Sequence, residues 1–162
     1  MAAARFHLAQ INIATFRKPV DAPDNADFFD NIDRINQIAD TSPGFVWRLV
    51  GDGGDATDIR VFDDPQTLVN MSVWESLAEL GAFVYRRGHL EIMRRRTEWF
   101  DDMETYMVLW WIPAGEVPTI ADARHRLDLL AQHGPTPDAF TFRQSFPAPE
   151  PVAVPSALDE RP

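Results

Sequence analysis

His89 has the surroundings that suit chemistry best. It follows Arg86-Arg87-Gly88, and two nearby guanidinium groups lower an imidazole pKa and keep the ring neutral. A neutral imidazole there serves as a general base or a metal ligand; the competing reading is a capping or loop histidine. The other histidines fit structural places. His125 falls on the polar side of a helical pattern, His133 precedes Gly134 where a cation suits a helix C-terminus, and His7 opens a strand. A second signal is polar side chains at strand spacing. Gln10 and Asn12 share one face of a strand pattern, and Asn70, Ser72 and Trp74 share a face of another. Buried polar groups need partners, and a ligand or ordered water would supply one. The third signal is tryptophan. Trp47, Trp74, Trp110 and Trp111 lie on or beside predicted strands, and the adjacent Trp110 and Trp111 point to opposite faces. An aromatic face lines a cavity for a flat apolar ligand, or else forms core and dimer interface.

Other chemistry is excluded. There are no cysteines, hence no disulfides, zinc ribbons, iron–sulfur sites or thiol nucleophiles. Dinucleotide, P-loop, zincin and nucleophile-elbow motifs are missing. The stretch GDGGDATD (51–58) is acidic and lacks the ligand spacing of a calcium loop, so it reads as a hairpin turn. Arg94-Arg95-Arg96, beside Glu91, Glu98, Asp101 and Asp102, reads as a salt-bridged, solvated helix face. A net charge of −10 argues against a nucleic-acid surface. The longest apolar stretch, Met107 to Ile112, is far short of the ~20 residues of a membrane helix. With no signal-peptide pattern at the N-terminus, the expectation is a soluble, cytoplasmic protein with no membrane contact.

These residues must be positioned by one domain, since 162 residues with 45% hydrophobic composition suit a single core. Alternation predicts strands over 6–15, 45–50, 67–74, 106–112 and 139–146, with a weak strand start at 58–62. Phe28, Ile32, Ile35 and Ala39 mark a first helix. Ser76 with Glu79 caps a second, with Ser72 and Glu75 as the alternative, and Gly88 breaks it. A further helix is expected over 89–102. Thr119 and Asp122 cap another, which Gly134 closes. The order implies an α+β, ferredoxin-like split βαβ sheet with extra helices. Helices cover one face of such a sheet, and an apolar face left open predicts a homodimer. Residues 1–5 are expected to be loose, 6–146 to form the domain, and 147–162 to be a disordered Pro-rich tail.

Seven phrases carry a resemblance: HLAQINIA (7–14), INQIADTSPGFVWRL (35–49), VNMSVWESL (69–77), AFVYRRGH (82–89), EWF (98–100), LWWIPAGEVPT (109–119) and GPTPDAFTF (134–142). Together they resemble domain-of-unknown-function family 3291, which is similar to antibiotic-biosynthesis-monooxygenase domains. The resemblance implies a dimeric α/β barrel with a pocket in each subunit. It also implies a monooxygenase-like enzyme acting without metal or bound cofactor on an apolar aromatic or polyketide-type molecule. In such enzymes the substrate forms its own carbanion, which reduces oxygen. By type and strand position His89 becomes the base, Asn12, Asn70 and Ser72 orient substrate, and Gln10, Trp47, Trp74 and Trp110 or Trp111 line the cavity. The same superfamily contains haem proteins. Alignment on Trp74 puts Phe83 where the haem-degrading branch has a tryptophan and His89 about one turn early, a departure that counts against haem degradation; haem binding without degradation is the alternative, with His89 or His7 as ligand. A non-catalytic dimer that binds a hydrophobic small molecule is the third reading.

Overall fold

Strand β1 (Phe6–Thr15) is the centre of the architecture, because it pairs on both sides. The computed structural model describes residues 5–50, 64, 66–101 and 106–149. The expected turn at 51–58, the weak strand at 58–62, the N-terminal residues before 5 and the tail from 150 lie outside the described residues.

A short 3-10 turn at Pro23–Asn25 leads into α1 (Ala26–Asp40), then β2 (Phe45–Arg48) and β3 (Thr67–Trp74). Next come α2 (Leu77–Val84), α3 (Arg87–Arg94), α4 (Arg96–Trp99), β4 (Met107–Pro113) and α5 (Ile120–His133). The sheet runs β2-β3-β1-β4 and all pairings are antiparallel. This is the ferredoxin-like order and the fold is α+β, as the sequence predicts. The capping signals act where expected. Ser76 Oγ accepts the Glu79 backbone N–H at 3.3 Å, and Thr119 Oγ1 accepts that of Asp122 at 3.0 Å. Gly134, at φ 70°, ends α5.

Two helical expectations are corrected. The helix expected over 89–102 begins earlier, at Arg87, because Arg86 is extended and turns the chain back after α2. It then breaks at Arg95 into α3 and α4. No glycine or proline marks that break. Arg95 itself is bound by Glu98 at 2.8 Å and by Asp27 of α1 at 2.9 Å. The strand expected over 139–146 is also absent. Phe140 makes one isolated bridge to Leu109, with N–H···O distances of 2.8 and 2.9 Å. Thr141 then turns the chain, accepting the Gln144 N–H on its side chain at 3.2 Å.

Parity sorts the sheet into two faces. One carries Ala9, Ile11, Ile13, Val69, Met71, Val73, Val108 and Trp110, all buried. The sequence left this face open for a second copy; in the structure α5 lies on it, with Ala123 and Leu127 inside the same core. Within one chain this face is thus packed against α5. The opposite face carries Leu8, Gln10, Asn12, Asn70, Ser72 and Trp74, and faces α1, α2 and α3.

Near the middle of that second face sits one buried polar knot. Gln10 and Ser72 are directly paired across the strands. Ser72 Oγ accepts from Gln10 Nε2 at 2.8 Å and from Trp74 Nε1 at 2.9 Å. Replacing Ser72 by Ala strands two buried donors, at about 1–3 kcal/mol each. Ser72→Ala should therefore unfold at clearly lower urea concentration than the wild type, by roughly 2–4 kcal/mol of stability. Equal midpoints would contradict the knot.

Candidate functional site

A cavity of about 180 Å³ opens on the helix side of the sheet, beyond the Gln10–Ser72 pair. Asn12 and Asn70, opposite each other in β1 and β3, form its floor. Phe28, Ile32 and Ile35 of α1 cover it, and His89, Ile92 and Met93 of α3 form a wall. Arg96, Phe100 and Tyr106 close another side. For scale, a dry cavity of ~150 Å³ accepts benzene.

His89 reaches this cavity because α2 ends one turn before it. The last carbonyls of a helix have no partner within the helix, and Val84 O, at the end of α2, meets His89 Nδ1 at 3.0 Å. A carbonyl only accepts, so Nδ1 carries the proton and a neutral ring keeps its lone pair on Nε2. The ring also lies against Phe83, with centroids 4.9 Å apart. Burial pushes the His89 pKa down from the ordinary 6.5, and the Val84 bond opposes this in part. The sequence assigned the lowering to nearby arginines; burial is its cause.

Asn12, Asn70 and, on α1, Asn36 line the cavity, and among the described residues their side chains make no hydrogen bond. Asn31 is occupied, donating to Asp27 O at 2.7 Å and accepting from Arg34 at 3.0 Å. Two guanidinium groups also line the cavity. Arg48 is held by Asp40, Nε to Oδ1 at 2.8 Å. Arg96 lies over the Tyr106 ring at 4.8 Å and has no carboxylate partner among the described residues. The expected solvated arginine face is thus corrected at Arg96, which turns inward because the break at Arg95 reorients α4. Asp101 is the carboxylate among the lining residues. Arg96 and Asn36 escaped sequence reasoning. The signal for Asn36 was its place on the α1 stripe, beside Ile32 and Ile35.

Of the residues expected in the site, the structure brings Asn12, Asn70 and His89 together around one cavity. Gln10 and Ser72 satisfy each other instead. Trp74 is fully buried, stacked on Phe83 at 5.1 Å, and Phe83 is packed in the core between Trp74 and His89. Trp47 and Trp110 pack in the core beneath α5. Trp111 donates to Phe146 O at 2.9 Å. The cavity walls are thus phenylalanine, tyrosine and aliphatic rather than tryptophan. His7, the other histidine considered as a haem ligand, is not among the lining residues.

The depressed His89 pKa has a sign for stability. Between 6.5 and the lower folded value the unfolded chain binds the proton first, so this contribution is full above about pH 6.5 and lost as pH falls through the folded pKa. Urea unfolding at pH 7.5 and at pH 5 should show a loss at the lower pH that shrinks in His89→Gln. The same loss in both proteins would contradict it.

Among the described residues no helix is long and apolar enough to cross a membrane, and no group of three His, Asp or Glu side chains gathers to hold a metal ion. No curated protein matches the sequence. Solved structures do match. A conserved protein from Methanosarcina mazei Go1 superposes with a TM-score of 0.50 at 13% identity, covering 65% of this chain and 91% of its own. SnoaB, a cofactor-independent oxygenase from Streptomyces nogalater, gives 0.46 at 16% identity, over 72% of this chain and 97% of its own. At such identities likeness speaks for fold alone. Family membership rests on the sequence itself: a match over residues 7–155 shows that the chain belongs to the family described as domain of unknown function DUF3291.

Proposed function

We propose that this protein is a monooxygenase-like enzyme that oxidises an apolar aromatic or polyketide-type molecule without a metal or bound cofactor. The observation that carries the reading is one cavity on which a histidine with Nδ1 held by Val84 O converges with two floor amides and a guanidinium that, among the described residues, have no hydrogen-bond or carboxylate partner. That set suits a substrate with a weakly acidic C–H beside a carbonyl. His89 Nε2 takes the proton. Asn12 and Asn70 donate to the oxygen on which charge gathers, and Arg96 balances that charge. The carbanion transfers its electrons to dioxygen and the peroxide adduct loses water. One oxygen atom remains as the new carbonyl and the other leaves as water, so the substrate's two hydrogens and the dioxygen are accounted for.

Haem is the second reading, favoured only by His89 Nε2. A cavity near 180 Å³ is of the size of a small fused-ring molecule, and a porphyrin would need the walls to part. A homodimer belongs to the proposal through the family resemblance.

The test is oxygen uptake with anthrone as substrate. Wild-type protein should consume one dioxygen per anthrone converted to anthraquinone. His89→Ala should lower the rate by about 10²–10⁴-fold and Asn12→Ala by about 10²–10³-fold. No uptake above the uncatalysed rate, or equal rates in both variants, would overturn the reading. A saturable Soret band on titration with haemin, lost in His89→Ala, would favour haem instead; saturable anthrone binding without turnover would leave a binding protein.

A further inference from the structure

We infer that Phe83 is a positioning residue for His89: its ring, fixed on Trp74, sets the plane of the imidazole so that Nδ1 meets Val84 O and Nε2 is left for the cavity. The inference rests on the proposed role of His89 as base, and goes beyond it by naming what holds the base.

The argument is one of degrees of freedom. A single hydrogen bond fixes one atom of the imidazole; the ring can still rotate about that contact. The Nδ1–Val84 bond at 3.0 Å is that one restraint. The second is the face of Phe83, centroid at 4.9 Å and interplanar angle 57°. Both restraints come from consecutive residues in the last turn of α2. Phe83 can impose a plane only if it is itself immobile. It is buried, and it lies nearly parallel to Trp74, at 5.1 Å and 22°. Trp74 in turn has no freedom: it is fully buried, its Nε1–H is bound to Ser72, and Phe45 meets it edge-on at 5.5 Å. A rigid line therefore runs from the sheet to the base. Tight support of this kind matters because misplacing a reacting group by about 1 Å can cost 10²-fold in rate.

The charged and titratable groups sharing the cavity with His89 are Arg48, engaged by Asp40, Arg96 of α4, Asp101 and Tyr106. Among the described residues none of these bonds to the ring, whose Nδ1 is bonded to Val84 O. Its protonation preference is therefore set by burial and by the Phe83–Val84 pair rather than by a salt bridge.

The experiment is ¹⁵N NMR of the His89 ring in the intact protein, with oxygen uptake on anthrone beside it. In the wild type the Nδ1–H tautomer should predominate; a predominant Nε2–H tautomer would overturn the inference with no variant needed. Phe83→Met keeps an apolar side chain but loses the plane. It should mix the tautomers, move the His89 titration further below 6.5 as the Val84 bond weakens while burial persists, and lower kcat about tenfold with KM within about twofold. Phe83→Tyr keeps the ring and should restore all three. Unchanged tautomer and titration in Phe83→Met would overturn the inference. If the tautomer shifts as stated but neither protein consumes oxygen, the positioning role stands and the oxygenase reading falls.

Discussion

The Ser72 hydroxyl is the constraint from which the layout of the helix-side face follows. It accepts two buried donors, one from Gln10 on the neighbouring strand and one from the indole of Trp74. Because those three polar groups satisfy one another, the face divides. On one side lies a dry aromatic region with Leu8, Trp74, Phe83 and Phe140. On the other lie Asn12 and Asn70, whose amides open on the cavity with no partner among the described residues. Had Gln10 and Ser72 been apolar, Trp74 would lack its acceptor and the support behind Phe83 and His89 would loosen. Polar residues in a core are costly unless fully engaged; here the engaged pair Gln10–Ser72 is buried, while in the same register Asn12 is half-buried and Asn70 exposed.

Helix α5 has an equally firm effect on the other face. It brings Ala123 and Leu127 over Trp110, Val108 and Ile11, so both faces of the central strands are inside a single chain. The hydrophobic effect that might have driven two open sheets together is largely spent within the subunit.

Much of this was legible in the residues. β1 and β3 were bounded correctly from alternation and breaks, and the caps at Ser76 and Thr119 formed as their spacing indicated. The parity that sets Asn12 and Asn70 on a common face was also visible. What the chain could not display is which polar residues on that face would meet each other. That depends on strand register, and Gln10–Ser72 and Asn12–Asn70 look alike until β1 is laid on β3. The tryptophans misled for a related reason: ring size announces a cavity or a core equally well, and Trp74 and Trp110 are core. The break at Arg95 had no glycine or proline to announce it. Its side chain is tied to Glu98 and Asp27, the latter in another helix, so long-range contact marks a place where local sequence does not.

The pairing of β1 with β3 leaves little room for change in strand length. Inserting or deleting one residue in either strand reverses every side chain beyond that point. Since both faces are covered, the error would be felt twice. Ile11 and Ile13 would be thrust among the amides and helices of the cavity, while Asn12 would be driven under α5 beside Trp110. Variation across relatives should therefore preserve the spacing between the knot and the floor amides even where residue types drift. The distance of two positions, Gln10 to Asn12 and Asn70 to Ser72, is a better diagnostic of a shared site than overall identity.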